Sequence, residues 1–136
     1  MGRLIGIDFG LKRIGIAETD DAKIIASPLT TINNNEIFSF LIKYFEAHDV
    51  EKVILGYPRR LDGSDTHITA DVIKFKAKIE NTFKKEVVLL DERFTSKMAS
   101  AAIGMSGLKK KKKQEKGLID KISASIILSD YLNSMG

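Results

Sequence analysis

GIDFGLKRIG, residues 6–15, sets a carboxylate inside a short apolar strand and then turns at once into two cations. A carboxylate withdrawn from water is costly unless it is paired or binds a metal. Asp8 therefore needs a partner. Strand alternation puts Leu4, Gly6 and Asp8 on one face and Ile5, Ile7 and Phe9 on the other. Gly6 leaves the space next to Asp8 on that face uncrowded. Two partners suit Asp8: a salt bridge to Lys12 or Arg13 across the turn, or a metal ion shared with acids far away in sequence.

Outward from this stretch, residues 3–9 and 13–19 read as two strands around a tight turn containing Gly10. Asp20-Asp21 turns the chain into a third strand, KIIASPLTTI (residues 23–32), with Pro28 near its end or at a sheet edge. Three strands with short links predict an antiparallel meander. The pattern then changes. Asn33 to Asn35 supply a helix cap, followed by a helix with Ile37, Phe38, Leu41, Ile42 and Phe45 at helical spacing. Lys52–Gly56 reads as a strand buried on both faces. YPRRLDGSD (57–65) is a loop. Thr66–Lys84 is helical in pattern, with Val72, Phe75, Ile79 and Phe83 on one face. Val87–Leu90 is another buried strand. Thr95 or Ser96 caps a short helix ending near Gly104 or Gly107. A lysine loop follows, then a last helix from about Leu118 to Leu132. The order β-β-β-α-β-α-β-α-α predicts an α/β domain: a mixed five-stranded sheet, antiparallel meander plus parallel strands, with helices on both faces. No linker or repeat divides the 136 residues, so one domain spans 1–136.

Composition narrows the function classes. Hydrophobic residues make up 43% of the chain, enough for a core. The absence of cysteine excludes a disulfide framework, a zinc-thiolate site and a thiol nucleophile, and fits a reducing, cytoplasmic setting. No apolar run approaches the roughly 18 residues that span a bilayer, so no membrane partner is expected. The net charge of +4 is concentrated: seven lysines against two acids give residues 104–121 a charge of +5. Such a run suits a polyanion or is simply a solvated loop.

Three acids stand out by position: Asp8 in the first strand, Glu92 just past the VVLL strand, and Asp120 in the first turn of the last helix. Each has a plainer reading. Glu92 would pair with Arg93 or Lys97, Asp120 would favour a helix start through the dipole, and Asp8 would hold a local cation. Taken together they form a hard-oxygen set suited to Mg²⁺ or Mn²⁺. Two such ions about 4 Å apart promote phosphodiester hydrolysis. Basic residues recur beside the acids: Lys12 and Arg13, Arg59 and Arg60, Arg93, and Lys109, Lys110, Lys111, Lys112 and Lys113. These suit phosphate positioning. His48 and His67 are isolated, and no GxxxxGK[ST] loop is present.

GIDFGLKRIG, the GYPRRLDGS loop, LLDERFTS, and the lysine-rich segment before GLIDKISASIIL together resemble the YqgF family over nearly the whole chain, in matching order. Tyr57 stands where that family commonly has leucine. The resemblance implies a ribonuclease H-like fold related to Holliday-junction resolvases, with Asp8, Glu92 and Asp120 as catalytic, metal-holding acids. Asp91 also matches a motif position, as a ligand or as a brace for Arg93. The implied activity is divalent-metal-dependent endonuclease cleavage of structured nucleic acid. The substrate would be the 5′ end of precursor 16S ribosomal RNA or branched DNA, cut by a monomer or weak homodimer. Two rival readings are a non-catalytic nucleic-acid-binding module and a phosphate loop of the sugar-kinase and actin type. The second needs far more chain than is present.

Overall fold

A computed structural model describes residues 2–57, 69–91 and 112–135. Five strands form one sheet: β1 (Arg3–Asp8), β2 (Arg13–Thr19), β3 (Ala26–Asn33), β4 (Val50–Tyr57) and β5 (Glu86–Asp91). Their order is β3-β2-β1-β4-β5. The first three strands pair antiparallel, while β1–β4 and β4–β5 are parallel. The predicted mixed sheet is therefore the observed one. Pro28 lies on the edge strand β3 beside a register shift, where its missing N–H costs the ladder least.

The two faces carry separate cores. On one, Ile5, Ile7, Ile14, Ile16, Val53 and Leu55 pack against α1 (Ile37–Ala47) and α2 (Thr69–Phe83). On the other, Leu4, Ala17 and Ile54 pack against α3 (Lys112–Met135). Strand alternation sorts these residues as the sequence pattern predicts, so Asp8 points to the α3 face with Leu4 and Gly6.

Several boundaries differ from expectation for identifiable reasons. The third strand begins at Ala26 rather than Lys23. The Asp20 carboxylate accepts hydrogen bonds from the N–H groups of Ile24 (2.8 Å) and Ile25 (3.2 Å), which holds them in the turn. Lys23 adopts φ 59° there. Asn33 makes no side-chain cap. Asn34–Glu36 form a 3₁₀ turn before α1 instead. In α1 the buried stripe is Ile37, Leu41 and Tyr44, while Ile42 is 47% exposed. At about 100° per residue, Ile42 lies some 140° from Ile37, off the stripe. The last helix starts at Lys112, not near Leu118. Lys112 and Lys113 are thus helical rather than in a loop, and Asp120 is two turns in rather than in the first turn. The short helix expected from Thr95 or Ser96 lies outside the described residues, as do residues 58–68.

Helix α3 approaches the sheet at two glycines. A Cβ on Gly15 would stand 2.0 Å from the Asp120 carbonyl oxygen, and one on Gly6 would stand 2.9 Å from that of Ala124. Asp120, Ala124 and Leu128 are spaced i, i+4, i+8, a single stripe along the helix. Its backbone rests where β1 and β2 have no side chains. At the opposite end of the sheet, Arg3 donates to Glu18 (3.2 Å) and Asp21 (3.1 Å), and the Tyr44 hydroxyl donates to Glu18 at 2.6 Å.

Gly15→Ala is expected to lower stability by about 1–3 kcal/mol in chemical denaturation, because backbone rather than a movable side chain stands in the way. Burial, followed by the bond to Glu18, holds the Tyr44 phenol well above its ordinary value. A group raised in this way stabilises the fold fully below its unfolded pKa, about 10. That contribution fades as pH climbs through the higher folded value. Tyr44→Phe should cost about 1–2 kcal/mol at neutral pH and remove this alkaline loss, as read in unfolding curves between about pH 8 and 12.

Candidate metal and nucleic-acid site

The C-terminal ends of β1, β4 and β5 and the N-terminal end of β2 share one edge of the sheet, as their parallel and antiparallel pairings require. Asp8, Arg13, Tyr57 and Asp91 are the strand residues at that edge. Asp8 is half-buried, and its direct cross-strand partner is Gly15. Residues directly opposite on antiparallel strands hold their Cβ positions about 5 Å apart on the same face. The Cβ position of Gly15 is 2.0 Å from the Asp120 carbonyl oxygen. The backbone of Asp120 therefore lies within roughly 7 Å of the Asp8 Cβ. Two acids 112 positions apart in the chain are brought to one place by the bare surface of Gly15.

Arg13 stands two residues before Gly15, on the same face of β2. Its Nε donates to Asp120 Oδ2 at 2.7 Å. The Asp120 side chain is 20% exposed and that of Arg13 41%. The pair is therefore substantially wet and modest in strength, about 0–1 kcal/mol. Arg13, one of the two cations expected beside Asp8, thus reaches an acid of the last helix. Lys12 is exposed on the turn. One helical turn along α3 from Asp120, the Ser123 hydroxyl is buried and has no hydrogen-bond partner among the described residues.

The donor chemistry fits a hard cation. Asp8 and Asp120 offer oxygen, and the chain has no cysteine. No group of three or more potential metal-ligating side chains forms among the described residues. The third predicted acid, Glu92, follows directly on β5 but lies outside them. So do Arg59, Arg60, Arg93, Lys109, Lys110 and Lys111. Lys112 and Lys113 open α3, and their side chains, like that of Asp91, are not described.

Sequence reasoning overlooked Asn34. Its side-chain amide donates to the Gly10 carbonyl at 2.7 Å, and its own N–H donates to the Lys12 carbonyl at 2.9 Å. It thus braces the β1–β2 turn that presents Lys12 and Arg13. A run of three asparagines after a strand suggests turn or cap chemistry, but not which distant turn it serves. A cleft lined by Phe9, Leu11, Asn34, Phe38 and Phe75 lies on the α1–α2 face, across the sheet from Asp8. Among the described residues no helix is long and apolar enough to cross a membrane.

Comparison with known proteins shows the family and the fold. A chain from Flavobacterium psychrophilum named "Putative pre-16S rRNA nuclease" is 48% identical over 133 residues, covering 97% of both chains. One of the same name from Flavobacterium johnsoniae is 47% identical over 135 residues, covering 98% of both. Among solved structures, Thermus thermophilus RuvC superposes with a TM-score of 0.57 at 13% identity, covering 98% of this chain and 96% of that one. The fowlpox virus Holliday junction resolvase gives 0.54 at 15%, covering 97% and 99%. At such low identity these two establish the fold alone, the ribonuclease H-like one. The family model described as "RuvX: Holliday junction resolvase" matches residues 2–134, and the chain belongs to that family.

Proposed function

We propose that this protein is a divalent-metal-dependent endonuclease that processes the 5′ end of precursor 16S ribosomal RNA. The observation that carries the reading is the meeting of Asp8 and Asp120 across Gly15. The names borne by relatives at 47–48% identity support the RNA substrate. Asp8, Asp120 and Glu92 would hold Mg²⁺ or Mn²⁺. Such ions supply Lewis acidity and an activated water for phosphodiester hydrolysis. Asp8, fixed in the sheet, and Asp120, fixed by the seating of α3 on Gly15, orient oxygen donors toward one place. Lys12, Arg59, Arg60 and Arg93 neutralise backbone phosphates near the acids. Lys109 to Lys113 lead into α3 and extend that basic track, which positions the strand without reading its sequence. A single cut in RNA needs no more than a monomer or a weak homodimer, in the cytoplasm where ribosomes are assembled.

A second substrate is favoured by the family description and by the likeness to a RuvC structure solved with a Holliday junction. Presenting precursor 16S RNA and a four-way DNA junction side by side separates the two, with faster cleavage of the RNA expected. Comparable or faster cutting of the junction would favour the resolvase reading.

With Mg²⁺ or Mn²⁺ present, Asp8→Asn should reduce cleavage by on the order of 100-fold or more while leaving metal-free RNA binding intact. Equal rates would reject the assignment, and binding without any metal-dependent cutting would indicate a non-catalytic module. Replacing Lys109–Lys113 by glutamine should weaken binding across unrelated sequences. It should also flatten the plot of log affinity against log salt, by about 0.7 for each single-strand phosphate that the lysines cease to neutralise. An unchanged slope would remove those lysines from the substrate track.

A further inference from the structure

We propose that Arg13 is an exchangeable counter-ion: it occupies the Asp120 carboxylate in the metal-free protein, is displaced when a divalent cation binds, and is thereby freed to grip a substrate phosphate. This rests on the reading of Asp120 as a metal ligand and adds a coupling between metal and nucleic acid.

Three observations lead there. The Arg13 Nε reaches Asp120 Oδ2 at 2.7 Å, so a guanidinium already occupies a carboxylate oxygen that a metal would need. Arg13 stands at the mouth of β2, two residues before Gly15, the position that faces Asp8. Its side chain is 41% exposed, so the pair is solvated and releases readily into water. A permanently buried ion pair would instead resist opening, because it would leave a charge stranded.

The β1–β2 turn that carries Arg13 is tied down through Asn34, so the arginine swings from a fixed base. Its planar fork of donors suits a phosphate as well as a carboxylate. The next cation in sequence, Lys12, is exposed on the same turn. Metal binding thus withdraws a carboxylate from Arg13 at the moment the site needs a cation for the incoming strand. By linkage, nucleic acid that captures Arg13 raises metal affinity by the same factor as metal raises nucleic-acid affinity.

The test is titration of the intact chain with Mn²⁺ alone, followed by calorimetry and by loss of the free-ion electron paramagnetic resonance signal. Arg13→Gln should bind Mn²⁺ about two- to fivefold more tightly than wild type, the range expected from removing a partly exposed pair. Arg13→Lys, which keeps the charge, should stay close to wild type. A brace that merely orders Asp120 would give the opposite sign, so unchanged or weaker Mn²⁺ binding by Arg13→Gln overturns the exchange while leaving the metal site standing. No Mn²⁺ binding by any of the three overturns the metal reading and the exchange with it. A second readout needs no substitution. The Arg13 Nε–H resonance of wild type, protected by Asp120, should lose that protection as Mg²⁺ saturates the protein. Protection that survives saturation also overturns the proposal.

Discussion

The contact on which the site depends is backbone against backbone: the carbonyl of Asp120 lodged over Gly15 on β2. Gly15 faces Asp8 across the ladder, so the same contact seats α3 and sets the separation of the two acids. The Ala124 carbonyl over Gly6, four residues along the helix, gives the seating a second point and therefore an axis. Leu4, Ala17, Ile54, Ile127 and Leu128 then close an apolar layer beyond it. The packing energy lies in that layer. The placement of Asp120 lies in the two positions without side chains.

The sheet separates stability from chemistry along its length. At one end Arg3, Glu18, Asp21 and Tyr44 join in ion pairs and a short hydrogen bond, linking β1, β2 and α1. At the other, strand ends present acids and bases at a solvated edge. A carboxylate there costs less to keep charged than one in the core and is open to ligands. The position of Asp8 in the last residue of β1 resolves the oddity of an acid in an apolar strand. Its neighbours Ile7 and Phe9 face the α1–α2 core, while Asp8 lies opposite Gly15, whose bare face the Asp120 backbone covers.

Much of this was legible in the sequence. Period-two alternation separated Asp8 from Ile7 and Phe9, and the buried runs gave β4 and β5 to within a residue or two. Where the reading failed, polar chemistry that an apolar pattern does not report decided the outcome. Asp20 captured the N–H groups of Ile24 and Ile25 and delayed β3. Tyr44 took a buried place through its bond to Glu18, which a purely apolar count passed over in favour of Ile42. The first turns of α3 contain lysine, glutamine and glutamate, good helix formers with no apolar rhythm to reveal them. The Arg13–Asp120 pair spans 107 residues, and no local pattern encodes it. The Asp8–Asp120 meeting was foreseeable only as a hypothesis, because each acid alone has an ordinary explanation.

The central claim is that one cation lies between β1 and α3, and paramagnetic broadening by Mn²⁺ tests it most directly. At low Mn²⁺ the backbone amide signals of Asp8, Gly15, Asp120 and Lys121 should broaden together, while those of Glu18 and Tyr44 at the far end of the sheet stay sharp. Broadening that is absent from this group, or confined to Asp8 without Asp120, would contradict the shared site.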